Sequence, residues 1–116
     1  MLVADITPEL MDRYIAQGDL IFIDFWAVWC APCKQFSVVY ERIANEYPEI
    51  IFAKVNIEQQ PAIAETLEIR SIPHVMIFKF GTLIFSESGS MPESRLRELV
   101  KQAQQIKAGQ IVSQDN

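Results

Sequence analysis

The sequence predicts an α/β fold in which a mixed β-sheet carries helices on both faces. Segments rich in β-forming apolar residues alternate with segments whose apolar residues recur at helical spacing, and this alternation predicts parallel strands. Toward the C-terminus, two β-rich segments flank Gly81–Thr82, which predicts an antiparallel hairpin. The predicted order is therefore β-α-β-α-β-α-β-β-α. With 50% hydrophobic and 22% charged residues, the chain of 116 residues has the composition of one globular domain.

The first predicted elements lead to a buried strand. Residues 2–4 form a short strand, Thr7 has the position of an N-cap before a proline, and Gly18 closes the helix that follows. The segment LIFIDFW at 20–26 is almost continuously apolar, as in a strand that is covered on both faces. Asp24 lies in the middle of this strand.

The remaining elements complete the domain. They are a helix over 31–47, a strand over 50–57, a short helix over 60–68, hairpin strands over 74–80 and 83–87, and a final helix. Ser90 and Glu93 fit a capping box that opens the final helix. No repeat or linker interrupts residues 1–107, which we expect to form one domain, with residues 108–116 as a flexible tail.

The net charge of −5 argues against binding to nucleic acid or to an anionic membrane, since both require a basic surface. No apolar run approaches the length of about 18 residues that a membrane-spanning helix needs. The N-terminal segment MLVADITPEL has neither a basic start nor a long apolar stretch, so it does not resemble a secretory signal. We therefore expect a cytoplasmic protein, in which thiols are kept reduced and a purely structural disulfide is disfavoured.

Both cysteines lie in the segment FWAVWCAPCKQF at 25–36, where a strand gives way to a helix. Cys30 and Cys33 are one helical turn apart, within reach of a disulfide. As a structural staple, this disulfide would close a loop of only four residues and contribute roughly 2 kcal/mol. A tetrahedral zinc site is short of ligands, since the chain adds a single histidine. A metal shared between two chains and two inert core cysteines stay open as alternatives.

The charges around the cysteines favour a redox pair. The helix after Cys30 has no acid before Glu41 and carries Lys34 in its first turn, whereas two other predicted helices begin with acids. A helix N-terminus and a lysine both stabilise a thiolate. Lowering a cysteine pKa from about 8.5 to about 7 raises the thiolate fraction at neutral pH from roughly 3% to roughly half. We therefore expect Cys30, nearer the helix start, to be the nucleophile and the deeper Cys33 to be the resolving thiol.

A base is needed to take the proton from Cys33, and Asp24 is the candidate. A carboxyl group in an apolar strand has a pKa raised by desolvation and exchanges protons near neutral pH. Lys54 lies on the neighbouring predicted strand, where it could pair with Asp24 and moderate that shift. The alternatives are a surface-facing aspartate and a solvated lysine.

Two motifs in this chain resemble the thioredoxin family. DFWAVWCAPCK is similar to the family's active-site segment, usually WCGPCK preceded by a buried aspartate. AKVNIEQQPAIAETLEIRSIPHVMIFKFG is similar to its second signature, and the resemblance extends from about Val3 to Ile106. It implies a thioredoxin fold, with a mixed four- to five-stranded sheet flanked by four helices, and a thiol-disulfide oxidoreductase that reduces protein disulfides. It also implies a cis peptide bond before Pro73.

The resemblance further implies a substrate groove around the cysteines. Its residues are Trp29, Pro32, Ile72, Pro73 and Gly89, while Trp26 is expected to belong more to the core. No metal and no bound cofactor are implied. The expected partners are disulfide-containing proteins and an NADPH-dependent thioredoxin reductase, and the chain is expected to act as a monomer.

Three departures from the family's pattern bear on the redox potential and on the hairpin. Ala31 replaces the usual glycine between the cysteines, and His74 stands where threonine usually follows the proline. The hairpin reads KFGT instead of containing Asn-Gly, so Phe80 would be strained in a type I′ turn. An oxidase or isomerase with the same fold, and a partner-binding module with secondary redox activity, are the alternative functions. The intact cysteine pair, Asp24 and Pro73 argue against a pure binding module.

Overall fold

The computed structural model describes residues 1–18 and 20–107, and within them the predicted order of elements is confirmed. The strands are β1 (Leu2–Val3), β2 (Leu20–Trp26), β3 (Ile51–Asn56), β4 (His74–Lys79) and β5 (Thr82–Ser88). The helices are α1 (Pro8–Gln17), α2 (Ala31–Glu46), α3 (Pro61–Thr66) and α4 (Glu93–Gln105). None of these helices is long and apolar enough to cross a membrane. The predicted tail at 108–116 lies outside the described residues.

The strands form one mixed sheet in the order β1-β3-β2-β4-β5. β2 runs parallel to β3 and antiparallel to β4, and β5 completes the predicted hairpin with β4. β2 is therefore the central strand, bonded on both edges, and its C-terminal end leads directly into the loop that carries Cys30. The predicted mixed sheet with four helices is thus confirmed for the described part of the chain.

β2 separates two hydrophobic cores. On one face its even-numbered side chains, beginning with Leu20 and Phe22, pack against α2 and α4, and the Phe22 ring stacks on Phe52 at 4.7 Å. On the other face its odd-numbered side chains pack against α1 and α3. All of β2 except Trp26 is buried, as expected for a strand covered on both faces. Because side chains alternate along a strand, Asp24 points to the face that α2 and α4 cover.

Both predicted ends of α1 are confirmed. Thr7 is the N-cap, and its Oγ1 accepts the N–H of Leu10 at 3.3 Å. At the other end the N–H of Gly18 donates to the Tyr14 carbonyl at 2.7 Å. Gly18 has a negative φ, so glycine is needed there for space, since a Cβ would lie 2.6 Å from that carbonyl oxygen.

α4 begins later than predicted. Its N-cap is Pro92, with an extended ψ of 160°, and within the described residues no side chain caps its first turn. The predicted capping box of Ser90 and Glu93 is therefore wrong. It would need Met91 in a helical conformation, which the following proline disfavours on steric grounds.

The turn between β4 and β5 consists of Phe80 and Gly81, one residue earlier than predicted. Both residues have positive φ angles, 50° and 80°, which is the pattern of a type I′ turn. Phe80 thus adopts the left-handed conformation, which costs a residue with a Cβ roughly 1–2 kcal/mol. Phe80 is therefore strained, as the sequence predicted for a type I′ turn at this position.

Lys79, at the end of β4, joins the hairpin to the end of α4. Its side chain is buried, and its Nζ donates to the carbonyl oxygens of Ala103 at 2.6 Å and Gln104 at 3.3 Å. The last carbonyls of a helix lack partners within the helix and carry the negative end of its dipole. The ammonium group therefore satisfies these oxygens and is itself satisfied by them.

Candidate active site

The two cysteines lie at the start of α2 and form a disulfide with each other. Cys30 is the N-cap of this helix, and its Sγ accepts the N–H of Cys33 at 3.2 Å. Their Cα atoms are 5.2 Å apart, within the range that a disulfide requires. The helix starts here because Pro32 suits its first turn, directly after the loop that follows Trp26. The pair that the spacing predicts is thus formed, and the structure is its oxidised state.

The disulfide is almost completely buried, next to exposed apolar side chains. Cys30 and Cys33 are 5% and 1% exposed, so Cys30 is the outer residue, as predicted. Trp29 is 65% exposed in the loop just before them, with the exposed Val28 beside it, and Pro32 is exposed on α2. A partner protein therefore meets an apolar surface where it approaches the sulfur atoms.

The loop before β4 meets the cysteines from the other side. The peptide bond between Ile72 and Pro73 is cis, as the family resemblance implied, and the Ile72 carbonyl oxygen lies 3.8 Å from Cys30 Sγ. The N–H of Gly89 donates to the Pro73 carbonyl at 2.7 Å, and Gly89 has a φ of 107° that favours glycine. Of the predicted groove residues, Ile72 therefore lies beside Cys30, Pro73 follows it and contacts Gly89, and Trp29 adjoins Cys30 along the chain.

Asp24 is completely buried in β2, on the face that α2 covers. Neither of its carboxyl oxygens has a hydrogen-bond partner within residues 1–18 and 20–107. Burial raises the pKa of Asp24 to about 7, and the positive charge of Lys54 opposes part of this rise. The predicted burial is confirmed, the surface-facing alternative is excluded, and the carboxyl group titrates near neutral pH.

Lys54 lies beside Asp24 in the parallel pairing of β2 and β3, yet its ammonium group contacts other partners. Its Nζ donates to Ser37 Oγ at 2.6 Å, lies 3.6 Å from Glu41 Oε2 and stands 5.0 Å from the centre of the Trp26 ring. The direct pair with Asp24 that the sequence suggested is not formed. Lys54 acts on the pKa of that carboxyl group only through space.

Ser37, Glu41 and Tyr40 also belong to this site, although none of them was predicted to be functional from the sequence. Ser37 and Glu41 are four residues apart on α2 and share one face, and Ser37 Oγ donates to Glu41 Oε2 at 2.6 Å. That helical spacing was the available signal. Tyr40 is buried on the same helix, and its hydroxyl donates to the Ala53 carbonyl at 2.9 Å.

His74 lies on the opposite face of the sheet from Asp24, since it is paired with Phe25 across β2 and β4. Its Nε2 is 2.8 Å from Ser86 Oγ, and its ring meets Phe25 edge-on at 6.2 Å. Its Nδ1 is buried without a partner among the described residues. Burial lowers the pKa of His74, so the imidazole is mainly uncharged at neutral pH.

Two thiols held one helical turn apart can close a disulfide and open it again in place, which is what thiol–disulfide exchange requires. In the part of the chain that the structure describes, no group of three or more His, Cys, Asp or Glu side chains is placed to hold a metal ion. The fold and the site therefore define a thiol–disulfide redox protein.

Comparison with known proteins assigns the family. The thioredoxin family model matches residues 2–102, and the chain belongs to the thioredoxin family. It is 39% identical over 102 residues to a putative thioredoxin 2 of Streptomyces coelicolor, covering 88% of this chain and 76% of that protein. It is 40% identical over 98 residues to the thioredoxin of Porphyra purpurea, covering 83% of this chain and 92% of that protein.

Solved structures agree with this assignment. The oxidised thioredoxin of Plasmodium falciparum is similar to this chain with a TM-score of 0.77 at 27% identity, covering 88% of this chain and 97% of that chain. The thioredoxin fold implied by the sequence motifs is therefore confirmed. Together with the Cys30–Cys33 pair, the family makes this chain a thiol-disulfide oxidoreductase of the protein-disulfide reductase type.

Proposed function

We propose that this thioredoxin-family protein reduces protein disulfides with Cys30 as the nucleophile, Cys33 as the resolving thiol and Asp24 as the proton acceptor. The observation that carries the proposal is the position of Cys30 at the N-cap of α2, with its Sγ 3.2 Å from the N–H of Cys33. That N–H and the helix dipole stabilise negative charge on the sulfur. The first turn has no acid and contains Lys34, which favours a thiolate further.

In the first step the Cys30 thiolate attacks a disulfide of the substrate protein. A bond forms between Cys30 Sγ and one substrate sulfur, the substrate S–S bond breaks, and the other substrate sulfur leaves as a thiolate. An exposed aromatic ring and the backbone around the cis peptide bond border Cys30, a surface that suits an extended segment of substrate. The groove residues assigned here are Trp29, Pro32, Ile72, Pro73 and Gly89.

In the second step Cys33 completes the reduction. Its thiol passes a proton to the carboxylate of Asp24, and the resulting thiolate attacks Cys30 Sγ, so that the mixed disulfide breaks and the second substrate sulfur leaves as a thiolate. The substrate has gained two electrons, and the protein is left with the Cys30–Cys33 disulfide. Asp24 suits this role because its pKa of about 7 lets it accept and return a proton near neutral pH. Lys54 moderates that pKa by its charge.

The cycle closes when two electrons reduce the Cys30–Cys33 disulfide again. We assign this step to an NADPH-dependent thioredoxin reductase, in keeping with the family. Disulfide-containing proteins are the other proposed partners, and the net charge of −5 supports the exclusion of nucleic acid and anionic membranes. The proposal further places the protein in the cytoplasm as a monomer whose redox domain is residues 1–107.

Reduction of insulin disulfides by dithiothreitol tests the mechanism. The wild-type protein is expected to accelerate insulin precipitation, Cys30→Ser to abolish the acceleration, and Cys33→Ser to accumulate a mixed disulfide with the substrate. Activity that survives Cys30→Ser would refute the mechanism. Replacing dithiothreitol by NADPH and a thioredoxin reductase tests the recycling step. A reduction potential of about −270 mV fits a reductase, whereas one of about −120 mV would indicate an oxidase.

A further inference from the structure

Lys54 has an unexpected orientation for a lysine beside a buried carboxyl group. Its side chain is 11% exposed, and Lys54 is the direct neighbour of Asp24 in the β2–β3 register, on the same face of the sheet. Two such groups normally pair, because an opposite charge within about 4–6 Å favours both charged forms. Instead, the carboxyl oxygens of Asp24 have no partner in the described part of the chain.

Three groups hold the ammonium group of Lys54 elsewhere. Ser37 Oγ accepts a hydrogen bond from Nζ at 2.6 Å, Glu41 Oε2 lies 3.6 Å away, and the Trp26 ring centre lies 5.0 Å away. Ser37 Oγ donates in turn to Glu41 Oε2 at 2.6 Å, which links the hydroxyl and the carboxylate into one acceptor site. Hydrogen bonds to charged groups are roughly twice as strong as neutral ones, so these contacts favour the observed orientation.

We propose that Ser37 and Glu41 are positioning residues that keep Lys54 away from Asp24 and so leave the carboxyl group able to exchange a proton. This inference rests on the proposed role of Asp24 as proton acceptor for Cys33. An ion pair between Lys54 and Asp24 would lower the carboxyl pKa by about 1–3. Asp24 would then stay ionised near neutral pH and be a weaker base.

The ionisable groups of α2 near Asp24 do not form the ion pair with its carboxyl group that Lys54 would form. Cys33 of α2 is held in the disulfide, and the Tyr40 hydroxyl, which lies near Asp24, donates to the Ala53 carbonyl at 2.9 Å. Burial and the nearby Asp24 both raise the pKa of Tyr40, so that phenol stays uncharged. On β3 the facing group is Lys54 itself.

The neighbouring strand and α4 add no unpaired charge at Asp24 among the described residues. Asp24 is paired with Val75 of β4, and the next residue across, on β5, is Glu87. Glu87 lies 3.7 Å from Arg95 of α4, so its charge has a partner. Lys54 is therefore the neighbour whose displacement changes the electrostatic environment of Asp24 most.

The titration of the Asp24 carboxyl group, followed by carbon-13 NMR on the oxidised protein, tests this inference. Ser37→Ala is expected to lower the midpoint by about 0.5–1 pH units, and Ser37→Ala combined with Glu41→Gln by about 1 or more, as Lys54 turns to Asp24. Ser37→Thr keeps the hydroxyl and is expected to retain the wild-type midpoint. Glu46→Gln is the matched control, because it removes a carboxylate from the far end of the same helix and is expected to leave the midpoint unchanged.

The same substitution of Ser37 in a Lys54→Gln protein shows whether the shift of the Asp24 midpoint depends on the lysine. In that background Ser37→Ala is expected to leave the Asp24 midpoint unchanged. An unchanged midpoint in the Ser37→Ala/Glu41→Gln protein, or an equal shift without Lys54, overturns the inference. A different result would refute the proposed role of Asp24 as proton acceptor. In that case Asp24→Asn would resolve a mixed disulfide at the wild-type rate, while the midpoint shifts would still appear.

Discussion

Two buried ionisable side chains, on the neighbouring strands β2 and β4, differ in whether they have hydrogen-bond partners. Lys79 of β4 is buried, and its ammonium group donates to the carbonyl oxygens of Ala103 and Gln104. Asp24 of β2 is buried more deeply, yet its oxygens have no partner within residues 1–18 and 20–107. Buried polar groups are nearly always hydrogen-bonded, since an unpaired one costs about 1–3 kcal/mol.

The difference separates a structural charge from a functional one. The ammonium group of Lys79 is hydrogen-bonded, and its bonds to carbonyl oxygens connect β4 to the end of α4. At Asp24, on the strand that leads to the disulfide, the fold leaves the carboxyl group unsatisfied, although a lysine lies beside it. A partner would hold the carboxyl group in one protonation state, whereas without one its two states are balanced near neutral pH.

Replacing Asp24 is expected to give the largest effect on stability, and a stabilising one. The pKa of Asp24 is about 7 in the folded protein against an ordinary value of 3.8, so the unfolded chain ionises more easily. Folding stability is therefore lost as the pH rises from about 4 through about 7. Asp24→Asn cannot ionise, and we expect it to exceed the wild type by about 4 kcal/mol above that window and to differ little below it.

Urea unfolding of both oxidised proteins across this pH range measures the difference. The free energy of unfolding of the wild type should decline toward alkaline pH, while that of Asp24→Asn should stay level through the same window. A difference of constant size at every pH would mean that ionisation of Asp24 is not what destabilises the fold. The contrast between a partnered Lys79 and an unpartnered Asp24 would then not explain the pH dependence of stability.

Replacing Lys79 is expected to give a smaller effect of opposite sign. Lys79→Met keeps most of the side-chain volume but removes the ammonium donor from the carbonyls of Ala103 and Gln104, and hydrogen bonds to charged groups contribute about 1.5–3 kcal/mol. We expect a destabilisation of about 2–3 kcal/mol, seen as a lower urea midpoint. Lys79→Arg retains donors and serves as the control. If Lys79→Met unfolds at the wild-type midpoint, the contacts to Ala103 and Gln104 contribute nothing.

Replacing His74 is expected to give the smallest change in the free energy of unfolding, because the ring is half-buried and one of its nitrogens has a hydrogen-bond partner. Burial lowers its pKa below the ordinary value of 6.5, so protonation favours the unfolded chain and stability falls as the pH drops through that value. His74→Gln is expected to remove this acid sensitivity. The measurement is best made in the Asp24→Asn background, since the wild-type carboxyl group contributes a trend of the opposite sign over the same pH range. Parallel profiles with and without His74 would exclude the effect.

Sequence patterns predicted the fold best where local and long-range requirements agree. The strand at 20–26 and the helix starting at Ala31 are found at those positions, because an apolar run, a proline and the need for burial all favour the same boundaries. The start of α4 was mispredicted because two local signals conflict there. The spacing of Ser90 and Glu93 favours a capping box, but Pro92 disfavours a helical conformation of the residue before it.

The reactive residues of the candidate site were predictable from the sequence, but the contacts of Lys54 were not. Cys30, Cys33 and Asp24 could be found because their residue types are informative at those positions in the chain. The partners of Lys54 could not, because the direction of a long side chain depends on where α2 lies across the sheet. That position is set by the packing of the whole core, so the helical spacing of Ser37 and Glu41 shows that they share a face of α2 but not that this face meets Lys54.

The sulfur of Cys30 is both the reactive atom and the atom that caps α2. It accepts the N–H of Cys33 in the disulfide state, and a thiolate would accept the same hydrogen bond more strongly. We therefore expect the start of the helix to keep its shape when the disulfide opens and closes. The oxidised and reduced proteins would then present a surface of nearly the same shape, and partners would distinguish them by the charge of the Cys30 thiolate and by its covalent reactivity. Release of a reduced substrate would follow from the loss of a bond, without any conformational signal.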